Sequence, residues 1–326
     1  MRGLLLIAAL MAAACGAPPV TQAALPTPTT VAAPPPAPPL DLTCAGAFAQ
    51  GGVVVCKTAP GAILAVDGEE RGPADASGWV VAGFDRDSRP TATFTVRTAA
   101  ETRTVDYAVA TRTFSVQRIN GLPQETVTPS DPAVLQRIKV EAAAKEEARK
   151  SRAASEGFLQ GFIWPIQGIM SGAWGNQRVL NGVPKSPHYG FDIAAPAGTP
   201  VHAAADGVIA MANPDMHFEG GLVMVDHGQG LTTYYLHMSR LDVVQGQAVK
   251  QGDVIGAVGM KGRATGPHLC WRMRWRDRTL DPSLAVQGLA TARATFANGA
   301  PLNAGAPPPN FTPWAPVAPA GPATAH

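Results

Sequence analysis

His188-Tyr189-Gly190-Phe191-Asp192 is an H-x-x-x-D pair of metal-ligand types, and eighty residues later His268-Leu269-Cys270 places two more candidates two apart. In a β-strand, residues i and i+2 project to the same face, so His268 and Cys270 would reach one site. The first pair needs another geometry. Four residues of extended strand span about 13 Å, too far for two side chains that must each approach one ion to about 2 Å. The backbone from His188 to Asp192 is therefore expected to curve around a metal, with Gly190 permitting the curvature. His, Asp and Cys are all ordinary zinc ligands, and three protein ligands plus water make a catalytic rather than a closed structural site. The alternative for Cys270 is a buried free thiol, since free cysteine is among the most buried residue types.

These motifs, with Tyr235-Leu236-His237-Met238 between them and Gly266-Pro267 and Trp271 around the last, resemble the LytM/lysostaphin-type zinc endopeptidases, peptidase family M23. The resemblance covers about residues 164–284. Asn213-Pro214, Asp226-His227-Gly228 and the run from Val249 to Gly256 read as further pieces of that domain. It implies His188, Asp192 and Cys270 as the metal set and zinc as the cofactor. It also implies a catalytic role for His237 and for His268, the first histidine of the family's His-x-His, which is not a ligand. The family's second histidine is here Cys270. The implied substrate is a peptidoglycan peptide, and the implied fold an antiparallel β-sheet with a groove above it, of the duplicated hybrid motif type.

The remaining histidines carry less. His227 lies in a turn and is expected to be structural, His202 and His217 match no motif position, and His326 ends the chain.

The elements that must position these groups are mainly β. From Trp164, candidate strands are 168–172, 191–194, 207–212, 222–226, 231–237, 254–258 and 268–275, with no helical pattern between them. Ahead of them, residues 42–120 carry at least five short runs rich in β-branched and aromatic residues, separated by turns such as Asp67-Gly68 and Ser77-Gly78. That spacing predicts a small β-sandwich-like domain or open barrel. It shows no catalytic constellation, and Asp85-Arg86-Asp87 reads as a solvated loop. A linker with a helix occupies 121–160. The helix is expected from Pro132 to Glu156, capped by Asp131 or Ser130, with Glu141–Lys145 and Glu146–Lys150 as i,i+4 pairs. The peptidase-like domain is expected over 161–288, and a disordered Pro/Ala-rich tail over 289–326.

The leader bounds the compartment. Arg2 followed by the apolar run Leu4–Ala14 predicts a signal peptide within residues 1–24, too short for a membrane span. Ala12-Ala13-Ala14-Cys15-Gly16 resembles a lipoprotein cleavage site, so Cys15 is either lipidated onto a membrane or removed by ordinary cleavage nearby. Residues 25–41 form a Pro-rich spacer, and the stretch from Ala17 to Leu40 carries no charge. Of the cysteines, Cys44 and Cys56 are left to pair in an oxidising compartment. These features predict export to the periplasm or cell envelope. A formal charge of +2 over 326 residues offers no footprint for nucleic acid. Two functions stay open: a zinc endopeptidase of the cell wall, or a degenerate domain of the same shape that binds wall peptide or activates a partner hydrolase of the envelope. Retention of His188, Asp192, His237 and His268 favours the first, and Cys270 is the argument for the second.

Overall fold

The computed structural model describes residues 40–296. The expected signal peptide, the lipidation site at Cys15, the spacer up to residue 39 and the tail beyond 296 lie outside the described residues. No helix among the described residues is long and apolar enough to cross a membrane.

The first part of the chain supplies β1 (Thr43–Gly46), β2 (Val53–Lys57), β3 (Ile63–Val66), β4 (Glu69–Pro73), β5 (Trp79–Gly83), β6 (Thr91–Arg97), β7 (Thr102–Ala108) and β8 (Val116–Ile119). Two antiparallel sheets, β1-β2-β5 and β4-β3-β6-β7, share one apolar core. Every residue of β5 is buried, whereas β6 alternates, with Ala92, Phe94 and Val96 inward. That alternation is what a sheet with one wet face requires. Phe84 bridges the two sheets, 5.9 Å from Phe48 and 6.1 Å from Phe94 between ring centroids. Cys44 and Cys56 stand directly opposite on β1 and β2 and form a disulfide.

β8 leaves this unit. It pairs in parallel with β10 (Gln177–Leu180), which also pairs with β11 (Val183–Pro184), forming a small sheet beside the candidate site. Between β8 and β10 run α1 (Gln124–Val127), α2 (Pro132–Ala148) and β9 (Ile169–Gly172). Asp131 caps α2 by accepting from the Ala133 and Val134 amides at 2.7 and 3.1 Å, with Pro132 in the first turn. The helix stops at Ala148 rather than Glu156. Beyond it, Ser151 Oγ and the Ala153 amide both donate to Asp226 Oδ2 at 2.7 Å, so a buried carboxylate captures the chain in extended form. The expected i,i+4 partners are also exchanged: Lys145 pairs with Glu219 across the fold, and Glu146 with Arg149.

The larger sheet comprises β12 (Phe191–Ala194), β14 (Gly207–Met216), β15 (Gly220–Asp226), β16 (Leu231–Met238), β18 (Ala248–Val249), β20 (His268–Trp275) and β21 (Arg278–Leu280), together with β9. Its order is β18-β14-β15-β16-β20-β12-β9, with β21 added beside β20. A second small sheet joins β13 (Pro200–His202), β19 (Val254–Ala257) and β17 (Arg240–Leu241). Alternation divides the large sheet's two faces. Val223, Val225, Tyr235, Leu269, Trp271 and Met273 enter the main core, while Leu222, Met224, Tyr234, Leu236 and Cys270 form a smaller cluster on the opposite face.

The expected tail boundary at 288 is corrected: α3 (Pro282–Phe296) runs through it. Ala285, Leu289 and Ala292, spaced i, i+4, i+7, are buried against β1 and β2. A Cβ on Gly288 would lie 2.8 Å from the Ala47 side chain, so the backbones meet closely there. Small residues that read as low-complexity text are here a helix–sheet contact. The Asp85-Arg86-Asp87 loop is likewise not simply solvated. Asp85 Oδ1 accepts from the Thr279 amide at 2.9 Å and Arg86 Nε donates to the Gly175 carbonyl at 2.7 Å, which ties the β-sandwich to the larger sheet.

His227 is fully buried, bonded to the Asp206 carbonyl and to Thr233 Oγ1, each at 2.7 Å. Burial holds its pKa down at about 4. Because the unfolded imidazole titrates near 6.5, the unfolded chain binds the extra proton between those values, so stability is expected to fall as pH drops from about 6.5 to 4. Denaturant melts of His227→Gln against the wild type across this window should show a shallower pH slope in the variant. Replacing Cys44 and Cys56 by Ser is expected to lower unfolding free energy by about 2–3 kcal/mol, the scale for so short a loop, measured at constant pH in the same assay.

Candidate metal and catalytic site

The site is assembled by strand register. Asp192 on β12 lies directly opposite Cys270 on β20, and opposite residues of an antiparallel pair share a face. His188 reaches the same point from the turn before β12. Its backbone is pinned at both ends, the amide donating to the Asn176 carbonyl and the carbonyl accepting from the Gly175 amide, each at 2.7 Å. His188, Asp192 and Cys270 thus bring one ligand atom each to within 4.8 Å of one another, all three buried. His188 Nε2 is 3.1 Å from Asp192 Oδ1 and 3.5 Å from Cys270 Sγ. Ligand bonds of about 2.0 Å to N and O and about 2.3 Å to S, spread tetrahedrally, imply edges of about 3.3–3.6 Å, close to those separations.

Two further observations test whether the residues fit a metal. Asp192 Oδ1 is buried and lacks a hydrogen-bond partner, a costly state that a cation at the centre of the three atoms would relieve. A Cβ at Gly190 would lie 2.6 Å from Cys270 Sγ and 3.0 Å from His188 Nε2. Glycine is therefore needed there for space. Gly190 is not among the glycines with positive φ, so room for the two ligand atoms is the need the structure shows there. The donor set and its spacing fit a zinc-type cation.

Backbone carbonyls orient each imidazole. His188 Nδ1 donates to the Ala173 carbonyl at 3.3 Å, His237 Nδ1 to Lys261 at 2.8 Å and His268 Nδ1 to Gly266 at 2.8 Å. For His237 and His268 this leaves Nε2 as the lone pair that proton acceptance requires, and in His188 it turns Nε2 toward Asp192 and Cys270. His237 and His268 stand together, with ring centroids 4.7 Å apart, and His268 Nε2 lies 3.9 Å from Asp192 Oδ1. His237 has φ +66°, unusual for a residue with a side chain, and its amide donates to the Glu219 carbonyl at 2.7 Å. Strain held in place in this way at the end of β16 aims the ring into the site.

The electrostatics separate the groups. Burial lowers the His237 pKa to about 4, against the pull of the Lys261 carbonyl, so the ring is neutral at neutral pH. Burial also lowers His268, opposed by Asp192. Burial would raise Asp192, but His188 first, then Arg178 and His268, hold it well below the usual carboxylate range. Burial would lower His188, but Asp192 and Cys270 outweigh it and raise it. The structure thus brings all of the sequence-predicted site residues into one place: His188, Asp192 and Cys270 around a common centre, His237 and His268 beside it.

Sequence reasoning missed the arginines. Arg178 on β10 donates through Nη2 to Asp192 Oδ2 at 2.8 Å, fixing the carboxylate so that Oδ1 faces inward. Arg272 Nε lies 3.5 Å from Cys270 Sγ. Strand alternation from His268 through Cys270 places Arg272 on the same face, a signal available in the sequence. Arg178 had none, since β10 was not expected. A cavity of about 200 Å³ opens over Asp192, His237 and His268, walled by Arg178, Arg263 and, from β8, Gln117.

Residues 186–282 match the model of peptidase family M23. Peptidoglycan DD-endopeptidase ShyA of Vibrio cholerae is 42% identical over 107 residues, covering 33% of this chain and 25% of that protein. DD-carboxypeptidase/endopeptidase Mpg of Neisseria meningitidis is 45% identical over 95 residues, 29% of this chain and 22% of that one. Cell division protein DipM of Caulobacter vibrioides is 36% identical over 131 residues, 38% and 21% respectively. The chain therefore spans about a quarter or less of the length of these relatives. A crystal structure from Pseudomonas aeruginosa, described as a peptidase M23, superposes with a TM-score of 0.56 at 29% identity, covering 75% of this chain and 96% of that one. That share is larger than the matched motif region, so the likeness extends into the rest of the described fold. Motifs, strand register and these matches agree in making residues 186–282 of this chain similar to the peptidase family M23 domain.

Proposed function

We propose that the protein is a zinc-dependent endopeptidase that hydrolyses peptide bonds of peptidoglycan. The observation that carries this reading is the convergence of His188 Nε2, Asp192 Oδ1 and Cys270 Sγ beside two neutral, carbonyl-oriented histidines. Zinc held by those three residues would lower the pKa of a water and polarise the scissile carbonyl as a Lewis acid. The chain's own groups do the rest. His237 and His268, both with Nε2 unprotonated, accept the proton of the attacking water and return it to the leaving amine. The same two rings, once protonated, stabilise the oxyanion. His188 and Arg178 keep Asp192 ionised, Arg178 aims it, and the walls of the cavity limit water around the bond. The named activities of the ShyA and Mpg relatives support a peptidoglycan peptide as substrate. An exported, envelope-facing location is supported by the leader of the sequence and by the Cys44–Cys56 disulfide, which an oxidising compartment sustains.

A second reading keeps the groove without the chemistry, as a wall-peptide binder or an activator of a partner hydrolase. Cys270 is the observation that favours it, since a thiolate gives a metal more charge than imidazole and leaves a bound water less acidic. Metal analysis and muropeptide release from purified peptidoglycan, on the wild type and four variants, decide between them. Cys270→Ser is expected to lose most of its zinc. His237→Ala and His268→Ala are expected to keep zinc while release falls by about 10²–10⁴-fold. Cys270→His should hold zinc and release muropeptides at least as fast as the wild type. Zinc in the wild type with release only from Cys270→His establishes the binder. A wild type without zinc under zinc-replete, reducing conditions ends the metal assignment.

A further inference from the structure

A second cavity, of about 180 Å³, lies on the ligand-bearing face of the sheet, on the other side of Cys270 from His237 and His268. Its walls include Lys145 and Arg149 at the end of α2, Tyr189, Glu219, and Arg272 and Arg274 of β20. β20 explains the layout. His268, Cys270, Arg272 and Arg274 alternate onto one face, so the first cavity, the ligand triad and the second cavity follow one another along a single strand. At about 3.4 Å per residue, Arg272 and Arg274 lie about 7 and 14 Å along the strand from Cys270.

The charges in this cavity do not balance. Four cations face it and one acid, Glu219, whose carboxylate is already paired with Lys145. Arg149 is paired with Glu146 and also reaches the Tyr234 hydroxyl at 3.3 Å. Among the described residues, neither Arg272 nor Arg274 has a carboxylate partner. Arg272 turns Nε to Cys270, Arg274 gives Nη2 to the Asp277 carbonyl at 2.8 Å, and Arg274 Nε is buried with no partner at all. Both guanidinium groups are half-buried and lack an ion-paired carboxylate, Glu219 acting on Arg272 only from beyond ion-pair distance, and Arg274 with its unpartnered Nε carries a desolvation cost that an anion would offset. The space is smaller than the roughly 300 Å³ at which pockets begin to enclose whole ligands, so it suits one end or one side chain of a longer molecule.

We propose that Arg272 and Arg274 form a subsite for a carboxylate of the peptide lying in the groove, two to four residues from the bond held at the ligand triad. The planar guanidinium fork matches a carboxylate in two-point geometry, which a lone ammonium does not. The position of the groove rests on the peptidase reading, whereas carboxylate binding itself needs no hydrolysis.

Calorimetry on the full chain, with a synthetic wall-type tetrapeptide carrying free carboxylates and with its amidated counterpart, tests this directly. The wild type should bind the free acid about tenfold or more tightly than the amide, as charged hydrogen bonds allow, and the preference should shrink as salt is raised. Arg274→Gln should bring the ratio of the two Kd values close to one, and Arg274→Lys should recover part of it. Equal binding of acid and amide by the wild type, or a preference that survives Arg274→Gln, overturns the subsite. A preference that salt does not touch overturns it as well, and this measurement stands even if the glutamine variant fails to fold. Carboxylate preference without muropeptide release sinks the peptidase reading and leaves the subsite in place, while release without preference does the reverse.

Discussion

The antiparallel pairing of β12 with β20 sets Asp192 against Cys270, and the rest of the site is arranged around that pair. Because strand side chains alternate, a slip of one residue would send Asp192 into the apolar core and bring Ile193 or Phe191 to the metal position. The core itself prevents the slip. Ile193, Leu269 and Trp271 are wholly buried on the opposite face, and each would be forced toward the polar side by any other register. Hydrophobic burial on one face of the sheet therefore enforces ligand geometry on the other. His188 completes the set from outside the ladder, in a turn whose two backbone hydrogen bonds leave it little freedom.

Bringing those atoms together is electrostatically costly, and the surroundings are built to bear it. A buried carboxylate needs compensating partners. Asp192 has Arg178 on one oxygen and His188 beside the other, and its inward oxygen remains without a hydrogen bond. The same burial that would penalise a charged imidazole keeps His237 neutral, whereas Asp192 stays an anion against burial because His188, Arg178 and His268 surround it. Arg272 Nε stands 3.5 Å from the Cys270 sulfur, so the residue beside the ligand triad on β20 is a cation.

The parts of the chain outside the motif region contribute through long-range contacts. β8 builds one wall of the first cavity, α2 closes over the second, and α3 returns from the motif region to pack on β1 and β2. α2 buries no side chain fully, but Ala148 at its end packs against the cluster around Cys270, and ion pairs such as Arg137 with Asp215 and the largely buried Lys145 with Glu219 attach the rest.

What the sequence determined by itself was the chemistry and the local elements: ligand types at His188, Asp192 and Cys270, the neighbouring His237 and His268, and strands such as β12 and β20, whose limits follow from alternation and turns. These are properties of short windows, where period and residue type suffice. Tertiary structure decided the rest. The end of α2 depends on capture of Ser151 by Asp226, seventy-five residues away in the chain. α3 depends on a sheet against which Ala285, Leu289 and Ala292 can pack, for without that partner its small residues resemble a tail. Gly190 is required by the approach of Cys270 Sγ and not by its own dihedrals, and Arg178 meets Asp192 only because β10 pairs with β8. Each of these rests on a contact between distant parts of the chain, and no local pattern of residues encodes which distant surface will arrive.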